Sequence, residues 1–268
     1  MDLIIHNTSF FISLATVLYS TAFLYSLYHL LHHTTDSKFI FFIFFISGFL
    51  TQGLALYYRG IALGGFPLTN TLELLQVISW STVFLIILFQ IAFGLPLLAF
   101  FGSGFVSIIG LISLAFYNTE TIVPIVNILQ NPWIEFHAVL ATFAYGAFGL
   151  LAVSSLMYLL QDYSLSHKYF GGFFNLLPSL RQLNEINQRL LLIGFVALSL
   201  AIGIGTLSWL DDPAHVTLFK IIATWGLLLC YFSLYLLKHK KSLSLKKSAW
   251  TSLLLFILAI LSLWPVQY

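Results

Sequence analysis

Long apolar runs, each able to cross a bilayer and broken by short polar stretches, dominate this chain. A membrane span needs about 20 apolar residues at a rise of about 1.5 Å each. The pattern predicts eight such spans, at about 10–31, 38–58, 71–93, 95–116, 133–160, 188–210, 216–237 and 248–264. The third and fourth are divided only by Gly94, Leu95 and Pro96, a glycine–proline break suited to a tight turn. Backbone groups in lipid must be satisfied within the protein, so the spans are expected to be helices. Their near-uniform apolarity lacks the alternation of a membrane barrel. The expected fold is all-α: a polytopic membrane helical bundle forming one integral membrane domain over 1–268.

Composition supports this reading. Hydrophobic residues make up 60% of the chain and charged residues 7%, against about 25% charged in a typical soluble domain. A water-soluble fold could not hide that much apolar surface. The net charge of +2 gives no sign of nucleic-acid binding. The single cysteine, Cys230, can form neither an internal disulfide nor a CxxC redox pair. The opening MDLIIHNTSFFISL has no basic stretch before its apolar run, so its first segment is expected to be a true span, not a cleaved signal.

Basic residues set an expected orientation. With eight spans, one set of loops carries Lys38, Lys168, Arg181, Arg189, Lys238, Lys240, Lys241, Lys246 and Lys247, and the other only Arg59 and Lys220. The positive-inside rule then places both termini outside and the segment KHKKSLSLKK inside. Trp133, Trp209 and Trp264 fall at outer ends and Trp250 at an inner end, where aromatic rings prefer to lie. The longer loops are 117–132, outside, and 161–187, inside; from Ser179 to Arg189 the inner loop can begin the sixth helix early, with Ser179 as its cap. Small residues four apart, Ala138, Thr142 and Gly146 in the fifth span and Ala197, Ala201 and Gly205 in the sixth, suit close helix packing.

The spans hold few ionisable groups, which argues against a coupled small-molecule permease. The histidines say more. His137 begins the fifth span and His215 immediately precedes the seventh, so both should lie at similar depth near the outer face. Two neutral imidazoles so placed can clamp a metal porphyrin, since haem iron commonly takes axial histidines. Arg59 and Lys220 are the outer cations that haem propionates would need. Trp80 and Trp225, two to three turns in, can wall an apolar pocket. The loop Tyr57–Leu75, with Gly64, Pro67, Asn70 and Glu73, can lie over it.

A plainer reading stands beside this one. A lone histidine at a helix mouth is more often a hydrogen-bonded interface residue than a ligand. Arg59 and Lys220 can instead answer Glu73, Glu120, Glu135, Asp211 and Asp212. On the inner side, His29 and His33 share a helix face next to His32, and His239 ends the seventh span. Headgroup contact explains these better than a metal site, because no cysteine or acid accompanies them.

Three segments carry a family resemblance: GGFPLTNTLELLQVISW (Gly64–Trp80), WIEFHAVLATFAYGAFGLLAVSSLMYLLQ (Trp133–Gln161) and IGTLSWLDDPAHVTLFKIIATWGLLLCYFSLYL (Ile204–Leu236). The chain resembles the cytochrome c assembly membrane proteins, the group with CcsA, CcmC and HemX-like branches. The resemblance implies a multi-pass protein of the bacterial inner membrane that binds and positions haem near the outer face, with haem, membrane lipid and other cytochrome c assembly membrane proteins as partners. It makes His137 a good match, and His215 a weaker one, to histidines that ligate haem beside a tryptophan-rich outer loop. That loop is shortened here to SWLDDPAH, as in the HemX-like branch. The expected role is binding more than catalysis. The alternative is an accessory that scaffolds or regulates a haem-synthesis or cytochrome-assembly enzyme without binding haem.

Overall fold

The computed structural model describes residues 2–32, 38–68, 70–94, 96–116, 132–168, 177–211, 218–240 and 242–263. Among these residues all regular structure is helical: α1 (Asp2–Leu31), α2 (Lys38–Leu63), α3 (Thr71–Phe93), α4 (Pro96–Phe116), α5 (Pro132–Ser166), α6 (Leu180–Asp211), α7 (Leu218–His239) and α8 (Leu245–Ser262). Each contains a stretch long and apolar enough to cross a membrane. The eight expected spans are therefore all present as helices.

The helix ends follow local chemistry. Gly94 terminates α3 in a left-handed conformation (φ 63°), and its N–H donates to Gln90 O at 2.9 Å. A residue with a Cβ would be strained there. Ser179 does start α6 early: its Oγ accepts from Gln182 N–H at 3.3 Å, and its carbonyl from Leu183 N–H at 3.0 Å. The polar segment after it, including Gln182, Glu185 and Arg189, continues as helix into the apolar span.

The helices fall into two compact units: residues 1–125 with 164–178, and 126–163 with 179–268. The first contains α1–α4. There α1 packs along α2 and α4, and α3 along α4. Tyr19 of α1 enters α2 at Gly48, where a Cβ would stand 2.8 Å from the ring. The approach carries the Tyr19 hydroxyl to α2, where it donates to Gln52 Oε1 at 3.0 Å. Gln52 Nε2 in turn donates to Gln76 Oε1 and Ser79 Oγ on α3, each at 2.7 Å. Tyr19, Gln52, Gln76 and Ser79 are all buried. In an apolar surrounding such uncharged polar groups join helices because each is costly alone.

The second unit is organised by α5, which is buried at every position from Ala144 to Ser155. A helix that is apolar all round suits a position buried on all sides. It runs antiparallel to α8: Asp162 pairs with Lys246 at 2.9 Å near one end, and Tyr145 lies 3.4 Å from Ser262 Oγ near the other. Ser262 donates its own hydrogen to Ala259 O, so Tyr145 is the donor in that pair. Against α7, the Phe148 and Tyr231 rings stack 3.6 Å apart and 4° from parallel.

Candidate functional site

His137 lies near the start of α5, partly buried. Its ring Nδ1 is 2.6 Å from the carbonyl oxygen of Ala201 on α6. A carbonyl can only accept, so Nδ1 carries the hydrogen and donates it. In the neutral imidazole this leaves the lone pair on Nε2. The same arrangement orients metal-ligating histidines, whose second nitrogen is usually held by a carbonyl or carboxylate.

The sequence of α6 makes room for the ring. A Cβ on Gly205 would meet His137 Cε1 at 2.7 Å and Nδ1 at 2.8 Å. Ala201 and Gly205 are one turn apart, on the small-residue row that read as packing alone. In the structure that row also seats the imidazole, a role the spacing by itself did not reveal. Lys220, near the start of α7 and partly buried, is within electrostatic reach of His137. Trp225, on the same helix, is 44% exposed. His215 lies outside the described residues.

Arg59 and Trp80 belong to the first unit, whereas His137, Lys220 and Trp225 belong to the second. Arg59 of α2 makes a buried ion pair with Glu73 of α3, Nε to Oε1 at 2.5 Å. The local sequence explains the pairing. Asn70 is extended and caps α3, its Oδ1 accepting from Glu73 N–H at 2.7 Å. The cap starts the helix where Glu73 falls in its first turn, a position favourable for an acid. Asn70 and Glu73 thus work as a helix start plus a buried acid for Arg59. Trp80 donates its indole N–H to Phe49 O at 3.2 Å and stacks on Phe49 at 4.8 Å. Here it joins α2 to α3.

On α1, His32 Nδ1 lies 2.9 Å from Tyr28 O, and His29 packs against Tyr25 at 4.5 Å. His239 stacks on Tyr235 at 6.1 Å. His33 lies outside the described residues, and among the described residues no three His, Cys, Asp or Glu side chains gather as a metal site. The feature that sequence reasoning missed is the Tyr19–Gln52–Gln76–Ser79 network. Its signal was present as two glutamines within apolar spans.

Comparison with known proteins agrees with the fold. Protein HemX of Brevibacillus brevis is 31% identical over 147 residues, which is 55% of this chain and 54% of that protein. The chain thus matches about half the length of this relative. The family described as Cytochrome C assembly protein matches residues 68–268, from the turn before α3 to the C-terminus. The match covers most of the chain and both units of helices, and the chain belongs to the cytochrome c assembly protein family.

Proposed function

We propose that this membrane protein of cytochrome c biogenesis binds haem through Nε2 of His137 and positions it near the outer membrane face. The observation that carries the reading is the hydrogen bond from His137 Nδ1 to Ala201 O at 2.6 Å. It fixes the tautomer and ring direction that an iron ligand needs. The Gly205 gap lets the ring take that position without displacing α6. Lys220 supplies a nearby positive charge suited to a propionate. His215 is the proposed second axial ligand. Trp225, on the same helix as Lys220, is a proposed wall. Bound haem would supply the iron and porphyrin that are passed on, while thiol reduction and attachment would fall to partner chains.

This reading includes an orientation with both termini and the His137 end of α5 outside, and places the chain in the bacterial inner membrane. The decisive experiment is an absorption spectrum of the purified protein, oxidised and reduced, with His137→Ala and His215→Ala beside it. A Soret band that falls sharply in both variants is the expected result. An unchanged band in His137→Ala removes that residue as a ligand.

One observation favours a second reading. Only residues 212–217 separate α6 from α7, too few for an extended aromatic platform. A non-binding accessory, working through the inner segments 161–187 and 238–247, fits that economy. Its signature would be a wild type that stays colourless after haem reconstitution, together with a partner lost on inner-loop substitution.

A further inference from the structure

The last helix, α8, has 18 residues. At a rise of about 1.5 Å each it is about 27 Å long, just enough to cross a hydrocarbon core of about 30 Å. Its first turn therefore lies at a headgroup boundary. That turn carries Lys246 and Lys247 and no acid. Helix stability does not account for the two lysines, because cations are disfavoured in a first turn. They are also held differently. Lys246 pairs with Asp162 of α5 at 2.9 Å. Lys247 is exposed, and among the described residues no acidic side chain pairs with it.

The face of α8 that continues from Lys247 is exposed along its length. The helix buries Ser248, Ala249, Ser252, Leu255 and Ala259. Steps of three and four residues from Lys247 run along the opposite face to Trp250, Leu254, Leu258 and Leu261. Each of these four is more than half exposed. The stripe thus presents, in order, an ammonium, an indole and three leucines. Indole rings favour the boundary between headgroups and acyl chains, which is where Trp250 falls. A ligand matching this order has an anionic head and a long apolar chain.

We propose that this stripe of α8 is a binding site for an anionic phospholipid. Lys247 donates charge-assisted hydrogen bonds to the headgroup phosphate. Trp250 packs at the level of the glycerol, and the leucines lie along an acyl chain. The backbone beneath Lys247 is fixed: its N–H donates to Ser244 Oγ at 3.4 Å, and its carbonyl accepts from Thr251 Oγ1 at 2.9 Å. Lys246 is already answered by Asp162, so Lys247 is the cation left for the lipid. Charge complementarity selects the occupant, since exposed leucines alone would take any acyl chain. The site is independent of haem, because Asp162, which meets this end of α8, lies at the opposite end of α5 from His137.

The test uses the full-length protein in phosphatidylcholine nanodiscs that contain a series of fractions of a lipid brominated on its acyl chains. The brominated lipid is phosphatidylglycerol in one arm and phosphatidylcholine in the other. Bromine quenches nearby indole fluorescence, and subtracting the signal of Trp250→Phe isolates Trp250. Phosphatidylglycerol should quench Trp250 at lower fractions than phosphatidylcholine. Lys247→Gln should lower that preference about fivefold, the scale of one cation at a charged membrane surface. Lys240→Gln, in the turn before α8, should lower it much less. Both lysines are exposed, so neither substitution disturbs packing. Equal quenching by the two lipids in the wild type overturns the proposal. So does quenching by neither, as a protein covering the stripe would give. An equal loss in Lys240→Gln and Lys247→Gln also overturns it, because it marks diffuse charge attraction in place of a site.

Discussion

His137 Nδ1 and the carbonyl oxygen of Ala201, 64 residues apart in the chain, lie 2.6 Å apart across α5 and α6. The contact exists because Gly205, one turn beyond Ala201, has no side chain to occupy the ring's place. Gly205→Ala should therefore push the imidazole off its carbonyl. Overpacking of this kind costs about 1–3 kcal/mol, more than the roughly 1 kcal/mol gained in helix propensity. The control is Gly203→Ala on the same helix, where an added Cβ meets nothing within 4 Å. The expected outcome is a lower Tm and a weakened or shifted Soret band for Gly205→Ala, and neither change for Gly203→Ala.

The Arg59–Glu73 pair separates a structural charge from a ligand-binding one. Both side chains are about nine-tenths buried. Removing one partner strands the other and should cost about 3–5 kcal/mol. Replacing both, as Arg59→Met with Glu73→Leu, should restore most of that loss, because the charge left unpaired is gone. Thermal unfolding of the two single variants and the double variant measures this.

Gln52 is the hub of the polar network in the first unit. Gln52→Leu leaves the Tyr19 hydroxyl and Gln76 Oε1 without their partner. Each stranded group costs about 1–3 kcal/mol. Tyr19→Phe removes only the donor at the edge of the network and should cost less than Gln52→Leu. Equal Tm values for the two variants would show that the network does not act through Gln52.

Tyr231 offers the opposite case. Its ring stacks on Phe148, but its hydroxyl is buried without a partner. Tyr231→Phe keeps the stack and removes the orphan, so its Tm should match or exceed the wild-type value. Gly194→Val, in contrast, places atoms where the Phe148 ring lies and should lower Tm clearly.

Orientation can be checked directly. Reporters fused after Tyr268 should be active on the outer side, and reporters inserted between Lys168 and Leu177 on the inner side. The reverse pattern would place His137 at the inner end of α5 and end its proposed role at the outer face.

Hydrophobic pattern alone was enough to find eight helices, the Gly94 break and the early start of α6 at Ser179, because chain length, apolarity and capping chemistry act locally. It also singled out His137, since an imidazole opening an apolar helix stands out against its neighbours. What the imidazole does with its two nitrogens was decided only by tertiary contact. Ala201 O and Gly205 belong to another helix, and no local signal in α5 records them. The same holds for Arg59, for which the sequence offered Glu73 as one of several acids and only folding set the two side by side. Trp80, whose indole N–H is taken by Phe49 O, is likewise defined by its neighbour. Helix formation in lipid is a property of each segment, whereas the partner of a buried polar atom is a property of how segments cross.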